Sequence, residues 1–164
     1  MTRSKLRSVT GGAGFVFFGG PTIVAGVVPW LLTRWHADDQ SLVLRLLGGA
    51  LLAAGALLVL ETTARFALQG RGTPAPWAPP ERFVVRGSYR LVRNPMYVGV
   101  LALILGQALL LGREILFAWA VAAWLFFHLF VLFEEEPGLR RRFGADYEQY
   151  CAHVGRWLPR FERE

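Results

Sequence analysis

The sequence predicts an all-α integral membrane protein of about four transmembrane helices, with a C-terminal helical hairpin and a cytoplasmic amphipathic helical tail. Three observations carry this. Of its 164 residues 54% are hydrophobic and the mean hydropathy is +0.36, too apolar for a water-soluble domain. The apolar residues gather in four runs, Phe15 to Leu32, Leu42 to Leu60, Met96 to Leu111 and Ile115 to Phe133, each near the roughly 17 to 25 residues that span a bilayer. The 18 Lys and Arg residues are sorted by side: with four crossings only Arg34, Arg45 and Arg113 fall on one face, and the positive-inside rule makes the other face cytoplasmic. Both termini are then cytoplasmic, in a multi-pass protein of the cell (inner) membrane.

The chain reads as a single domain, 1–164, made of two helices (1–69), a cytoplasmic loop (70–95), a transmembrane hairpin (96–133) and a cytoplasmic tail (134–164). Its start is basic and then apolar, like a signal peptide, but no small-residue cleavage site follows and Pro21 and Pro29 interrupt the run, so a retained helix with a kink near Pro21 is expected. The second run is rich in small residues, among them Gly48, Gly49, Ala53, Ala54 and Gly55, a composition that lets helices approach closely in lipid. Between runs two and three, Gly70 to Pro80 carries Pro74, Pro76, Pro79 and Pro80, which fix φ and remove donors, so an extended loop is expected, docked through Trp77.

Runs three and four join through Leu111-Gly112-Arg113-Glu114, a tight polar turn that makes them an antiparallel pair. Gly99, Ala102 and Gly106 give the third helix one small-residue face, read as a surface for close helix packing and also as room for an apolar chain rising from the bilayer. In the tail, Leu139, Phe143, Tyr147, Tyr150, Val154 and Trp157 recur at helical spacing, broken at Gly144, and Asp146 with Gln149 is read as a cap beyond the break. Cys151 is the only cysteine, which excludes an intrachain disulfide and leaves a metal site without its usual ligands; Cys151-Ala152-His153 reads as helix surface. The basic face carries no nucleic-acid reader motif, so its partners are anionic lipid headgroups.

Two polar blocks bracket the hairpin and should face each other. Tyr89, Arg93, Asn94 and Tyr97 come from one side of its cytoplasmic mouth, and His128, Glu135 and Glu136 from the other. Such a set suits a ligand of mixed charge: a carboxylate pairs with Arg93, hydroxyls donate to a glutamate, and aromatic faces take a flat ring or a cation. Interfacial salt bridges worth roughly 0 to 1 kcal/mol each would use the same residues. Spacing alone leaves both readings open.

The blocks Gly87-x-Tyr89-Arg90-x-Val92-Arg93-Asn94-Pro95-Met96-Tyr97-x-Gly99 and Glu135-Glu136-Pro137-x-Leu139, followed by Phe143-Gly144, Tyr147, Tyr150, Val154, Arg156-Trp157 and Pro159, resemble the bacterial branch of the isoprenylcysteine carboxyl methyltransferase and phospholipid methyltransferase superfamily. The resemblance covers roughly Gly70 to Arg160. It implies methyl transfer from S-adenosylmethionine to a hydrophobic or lipid-like acceptor that enters from the bilayer. It also implies that Tyr89, Arg93, Asn94, Pro95, Tyr97 and Gly99 form one wall of the cofactor pocket and Glu135 and Glu136 the other, with His128, Tyr147, Tyr150 and Arg156 either further members or packing around it. His128 or Glu135 would serve as general base where the acceptor must lose a proton.

Asn94 stands where the eukaryotic prenylcysteine enzymes usually show histidine, and Ser88 and Gly155 stand in place of common prolines. Val131-Leu132-Phe133 lacks the arginine those enzymes place before the acidic run, where it would suit a substrate carboxylate. The resemblance therefore speaks to the cofactor more directly than to a prenylcysteine acceptor. Two other classes remain: a nicotinamide-dependent membrane reductase of related architecture, and a non-catalytic assembly protein. Neither oligomeric state nor the methylated atom is legible.

Overall fold

The computed structural model describes residues 19–65 and 86–160. The Pro74–Pro80 loop, Trp77 and the basic residues near the N-terminus lie outside these. Helix α1 spans Gly19–Thr33 and contains a π turn at Ile23–Val27, between the two prolines. Pro29 has no N–H to offer the carbonyl four residues back, which leaves Ala25 without its helical partner. Other helices supply the donors: Gln107 Nε2 donates to the Ala25 carbonyl at 2.7 Å, and Trp119 Nε1 to that of Val24 at 2.9 Å. The irregular helix is thereby satisfied without water, as an apolar environment demands.

Helix α2 spans Leu42–Arg65 and α3 spans Pro95–Leu111. They pack almost backbone to backbone. A Cβ at Gly48 would lie 2.8 Å from the Gly106 carbonyl oxygen, and one at Gly55 would lie 2.8 Å from that of Gly99. Glycine on both helices is what permits the approach. This corrects one expectation: the face of Gly99, Ala102 and Gly106 holds no apolar guest, because α2 fills it, with Ala102 Cβ only 3.1 Å from where a Gly55 side chain would begin. Helix α2 also runs past Leu60 to Arg65, and the buried Thr62 hydroxyl bonds back to the carbonyls of Leu58 and Val59 at 2.8 and 3.0 Å.

Helix α3 ends at Gly112, whose φ of +68° closes the turn. Arg113 Nη1 donates to both Asp38 carboxylate oxygens at 3.0 and 2.9 Å and the Asp38 N–H donates to the Leu111 carbonyl, so the α1–α2 link is tied to the turn that follows α3. Helix α4 spans Ile115–Phe130, and its stripe of Leu116, Ala120, Ala123 and Phe127 is buried with Val100, Ile104 and Ala108 of α3. Its other faces leave Val121, Leu125, Phe126 and Leu129 exposed, a surface suited to lipid. Among the described residues two helices are long and apolar enough to cross a membrane, α2 and the continuous Ile115–His153, while α1 and α3 are shorter apolar helices.

Helix α4 passes through a second π turn, Val131–Glu135, into α5, Glu136–His153. Helix α5 kinks at Gly144 (φ 49°, ψ −123°), where the amphipathic pattern breaks, and buries Tyr147 and Tyr150 with Val154 in a small second core. Among the described residues strand pairing is limited to one parallel bridge, Val92 to Gly155.

Candidate functional site at the meeting of the two polar blocks

The first block is a 3-10 turn, Gly87–Arg90, followed by Pro95 in the first turn of α3, where a missing N–H costs nothing. The second leaves α5 at Val154 and doubles back along the first. The Arg93 N–H donates to the Gly155 carbonyl at 2.8 Å, Asn94 Nδ2 to the Arg156 carbonyl at 3.2 Å, and the Tyr150 hydroxyl to the Tyr89 carbonyl at 2.6 Å. The blocks are held by backbone and side chain together.

Glu136 is the electrostatic centre of the junction, its side chain only 3% exposed. It accepts from Arg156 Nε and Nη2 at 2.6 and 3.0 Å, lies 3.1 Å from Arg93 Nη1, and receives Arg140 Nη2 at 3.3 Å. The hydrogen bond to Glu136 holds the Arg156 guanidinium above even its ordinary high range, against the opposing effect of burial. Arg93 also donates to Cys151 Sγ at 2.8 Å, while its Nε is buried with no hydrogen-bond partner among the described residues.

Glu135, on the neighbouring position, faces the other way and accepts a hydrogen bond from the Tyr97 hydroxyl. Tyr97 stacks on Phe127 with ring centroids 4.5 Å apart, and Trp157 from the tail lies 6.4 Å away. His128 is stacked on Trp124 and accepts the Trp157 indole N–H on Nδ1 at 3.1 Å. Burial, reinforced by the charge of Glu135 and then by Tyr150 and Glu61, raises the Tyr89 phenol well above its ordinary range and keeps it a hydrogen-bond donor.

The residues singled out from the sequence thus divide into groups. Tyr89, Arg93, Asn94, Pro95, Tyr97, Glu135, Glu136, Tyr150 and Arg156 converge on one junction, with Tyr147 packed beneath it. Gly99 lies apart, against Val59 and the Gly55 carbonyl of α2. His128 joins the junction through Trp157. Cys151 is not helix surface: it is half-buried against Arg93. Sequence reasoning also missed Glu61, whose carboxylate accepts the Ser88 hydroxyl at 2.6 Å and pairs with Arg65. Its only sequence signal was a lone acid at the end of an apolar run, where a solvated end is the ordinary reading.

Residues 43–146, most of the chain, match the profile of the phospholipid methyltransferase family, and the chain belongs to that family. Two rice proteins, from Oryza sativa subsp. indica and subsp. japonica, each bear the description "Probable protein-S-isoprenylcysteine O-methyltransferase" and are 34% identical to this chain over 82 residues. That stretch is 49% of this chain and 42% of each rice protein, so the match spans less than half of those relatives. No solved structure matches.

Proposed function

We propose that this protein is an integral-membrane methyltransferase that uses S-adenosylmethionine and acts on an apolar acceptor at the cytoplasmic interface. One observation carries the reading: Arg93 Nε is buried with no hydrogen-bond partner among the described residues, on a guanidinium held by Glu136, within the stretch that the family profile matches. An orphaned guanidinium donor next to tyrosine rings and a carboxylate fits a ligand that bears a carboxylate, a flat ring and hydroxyl groups. Tyr89, Arg93, Asn94, Pro95, Tyr97, Glu135, Glu136, Tyr147 and Tyr150 would hold or frame it. When bound, the cofactor would supply an electrophilic methyl group on sulfonium sulfur.

The chain's own work is alignment and exclusion of water. Glu136 fixes Arg93 and Arg156 so that the Arg93 guanidinium cannot swing away. Trp157, held by His128, shields the mouth beside Tyr97. Glu135 is the group placed to take a proton from a neutral acceptor, because Nδ1 of His128 is already engaged. The rice relatives' name points to an isoprenylated cysteine and the family's to a phospholipid. Both acceptors join a polar head to an apolar tail, which family membership and the lipid-suited exposed faces support for an enzyme with four spanning helices, both termini cytoplasmic, in the inner membrane. The absence of an arginine in Val131-Leu132-Phe133 supports the bacterial branch and an acceptor without a free carboxylate.

The test is transfer of labelled methyl from S-adenosylmethionine to membrane lipid extract, with the product identified by mass. Arg93→Ala and Glu135→Gln should each weaken cofactor binding by about 2 kcal/mol, roughly 30-fold, and Arg45→Ala at the far end of α2 should leave it unchanged. Binding of a nicotinamide cofactor instead, or of neither, would overturn the reading.

A further inference from the structure

We infer that Glu61 of α2 is a positioning residue for the proposed cofactor site, acting through Ser88. Neither polar block contains it, and the inference rests on the methyltransferase reading above. The Ser88 hydroxyl donates to Glu61 Oε2 at 2.6 Å, across 27 residues of sequence, while Arg65 Nε pairs with Oε1. Both carboxylate oxygens are therefore committed, and the group is held from its own helix as well as from the turn. Gly87 sits directly over this pair with φ +61°, and a Cβ there would overlap Arg65 and Glu61. The turn can approach α2 this closely only because residue 87 lacks a side chain.

The next residue along is Tyr89, whose carbonyl receives the Tyr150 hydroxyl from the tail at 2.6 Å. The 3-10 turn is thus gripped on two sides, by α2 through Ser88 and by α5 through Tyr89. Two and three residues beyond its end the chain reaches Val92 and Arg93, fixed in turn by Gly155. The charge of Glu61 is also among those felt by the Tyr89 phenol, which places the carboxylate within electrostatic reach of the site without placing it in it. Glu61 links the glycine-packed α2–α3 pair to the segment that presents Tyr89 and Arg93. A site held this way keeps its geometry when no ligand is present.

The experiment compares Glu61→Gln, Ser88→Ala, their double variant and Ser88→Thr with the parent chain in detergent, by hydrogen–deuterium exchange and by S-adenosylmethionine binding. Expected are faster exchange confined to residues 87–94 in the first two and an increase of about tenfold in Kd for each. The double variant should lose less than the two single losses combined, because one change weakens and the other removes the same charge-assisted bond, and Ser88→Thr, which keeps the hydroxyl, should restore binding. Unchanged exchange at 87–94 in Glu61→Gln would overturn the inference, as would tighter or unchanged binding. If the parent itself binds no S-adenosylmethionine, the methyltransferase reading falls, and the exchange data alone then decide whether Glu61 grips the turn.

Discussion

Three guanidinium groups converge on Glu136. Arg93 and Arg156 are mostly buried with it, so removing the carboxylate would strand two charges whose solvation was given up on folding. Glu136→Ala is expected to destabilise the protein by about 3 to 5 kcal/mol, and Glu136→Gln by less, because it keeps one acceptor; thermal unfolding in detergent measures both. Arg140→Ala, whose side chain is 46% exposed, should cost about 1 kcal/mol at most. That Arg93 and Glu136 belong to one cluster was legible from the two blocks. That Glu136 pairs with arginines while Glu135 pairs with Tyr97 was not, because adjacent residues have the same composition and only the backbone between them decides which way each points.

At the scale of elements, the limits of α3 and the start of α4 were legible because Pro95 and Gly112 punctuate them chemically, and the kink at Gly144 because periodicity fails there; the passage of α4 through a π turn into α5 was not. The partner of the small-residue face was not. A row of glycines says that something comes close without saying what, and here it is the backbone of α2. Gly106→Ala should therefore force α2 and α3 apart, since the new Cβ would meet the Leu52 nitrogen at 2.8 Å, and should cost roughly 1 to 3 kcal/mol by overpacking. Ala102→Phe should damage the fold itself rather than select among acceptors. In α1 the donor from Gln107 matters because Pro29 left Ala25 without one. Gln107→Leu should cost about 1 kcal/mol in the parent and less in a Pro29→Ala background, where the restored N–H can take its place; unequal losses in the two backgrounds, read by thermal unfolding, measure that coupling.

For the whole molecule, the sorting of basic residues predicts which end faces the cytoplasm, and the structure puts the site at one end of the bundle and the Arg113–Asp38 clamp at the other. In a Cys151→Ser background, Gly112→Cys should react with an impermeant reagent from outside and Glu148→Cys only from the cytoplasmic side. Labelling of both from one side would rule out the four-span arrangement. The acceptor's tail gives a second whole-molecule test. If the tail stays in lipid while its head is methylated, each methylene removed should weaken apparent binding by about 0.8 kcal/mol, so a short water-soluble analogue should be a far poorer substrate than its long-chain parent.

The π turn at Val131–Glu135 has a numerical consequence. The buried stripe of α4 steps Leu116, Ala120, Ala123, Phe127, Val131 at helical intervals, and the Glu136 N–H then donates to the Val131 carbonyl, five residues back. In an unbroken α-helix, at roughly 100° per residue, position 136 would point about 140° away from Val131. The wider turn lets positions 135 and 136 straddle the stripe instead. The acidic pair is therefore a matter of counting: with one residue fewer the two acids become the third and fourth after Val131, which in an α-helix lie about 60° to one side of it and about 40° to the other. Deleting Leu132 is therefore expected to close the π turn into an α turn with both acids still beside the stripe and the melting temperature near that of the parent, whereas an alanine inserted after Leu132 should turn both acids away and abolish cofactor binding, a loss of function in which every recognisable side chain of both blocks is still present.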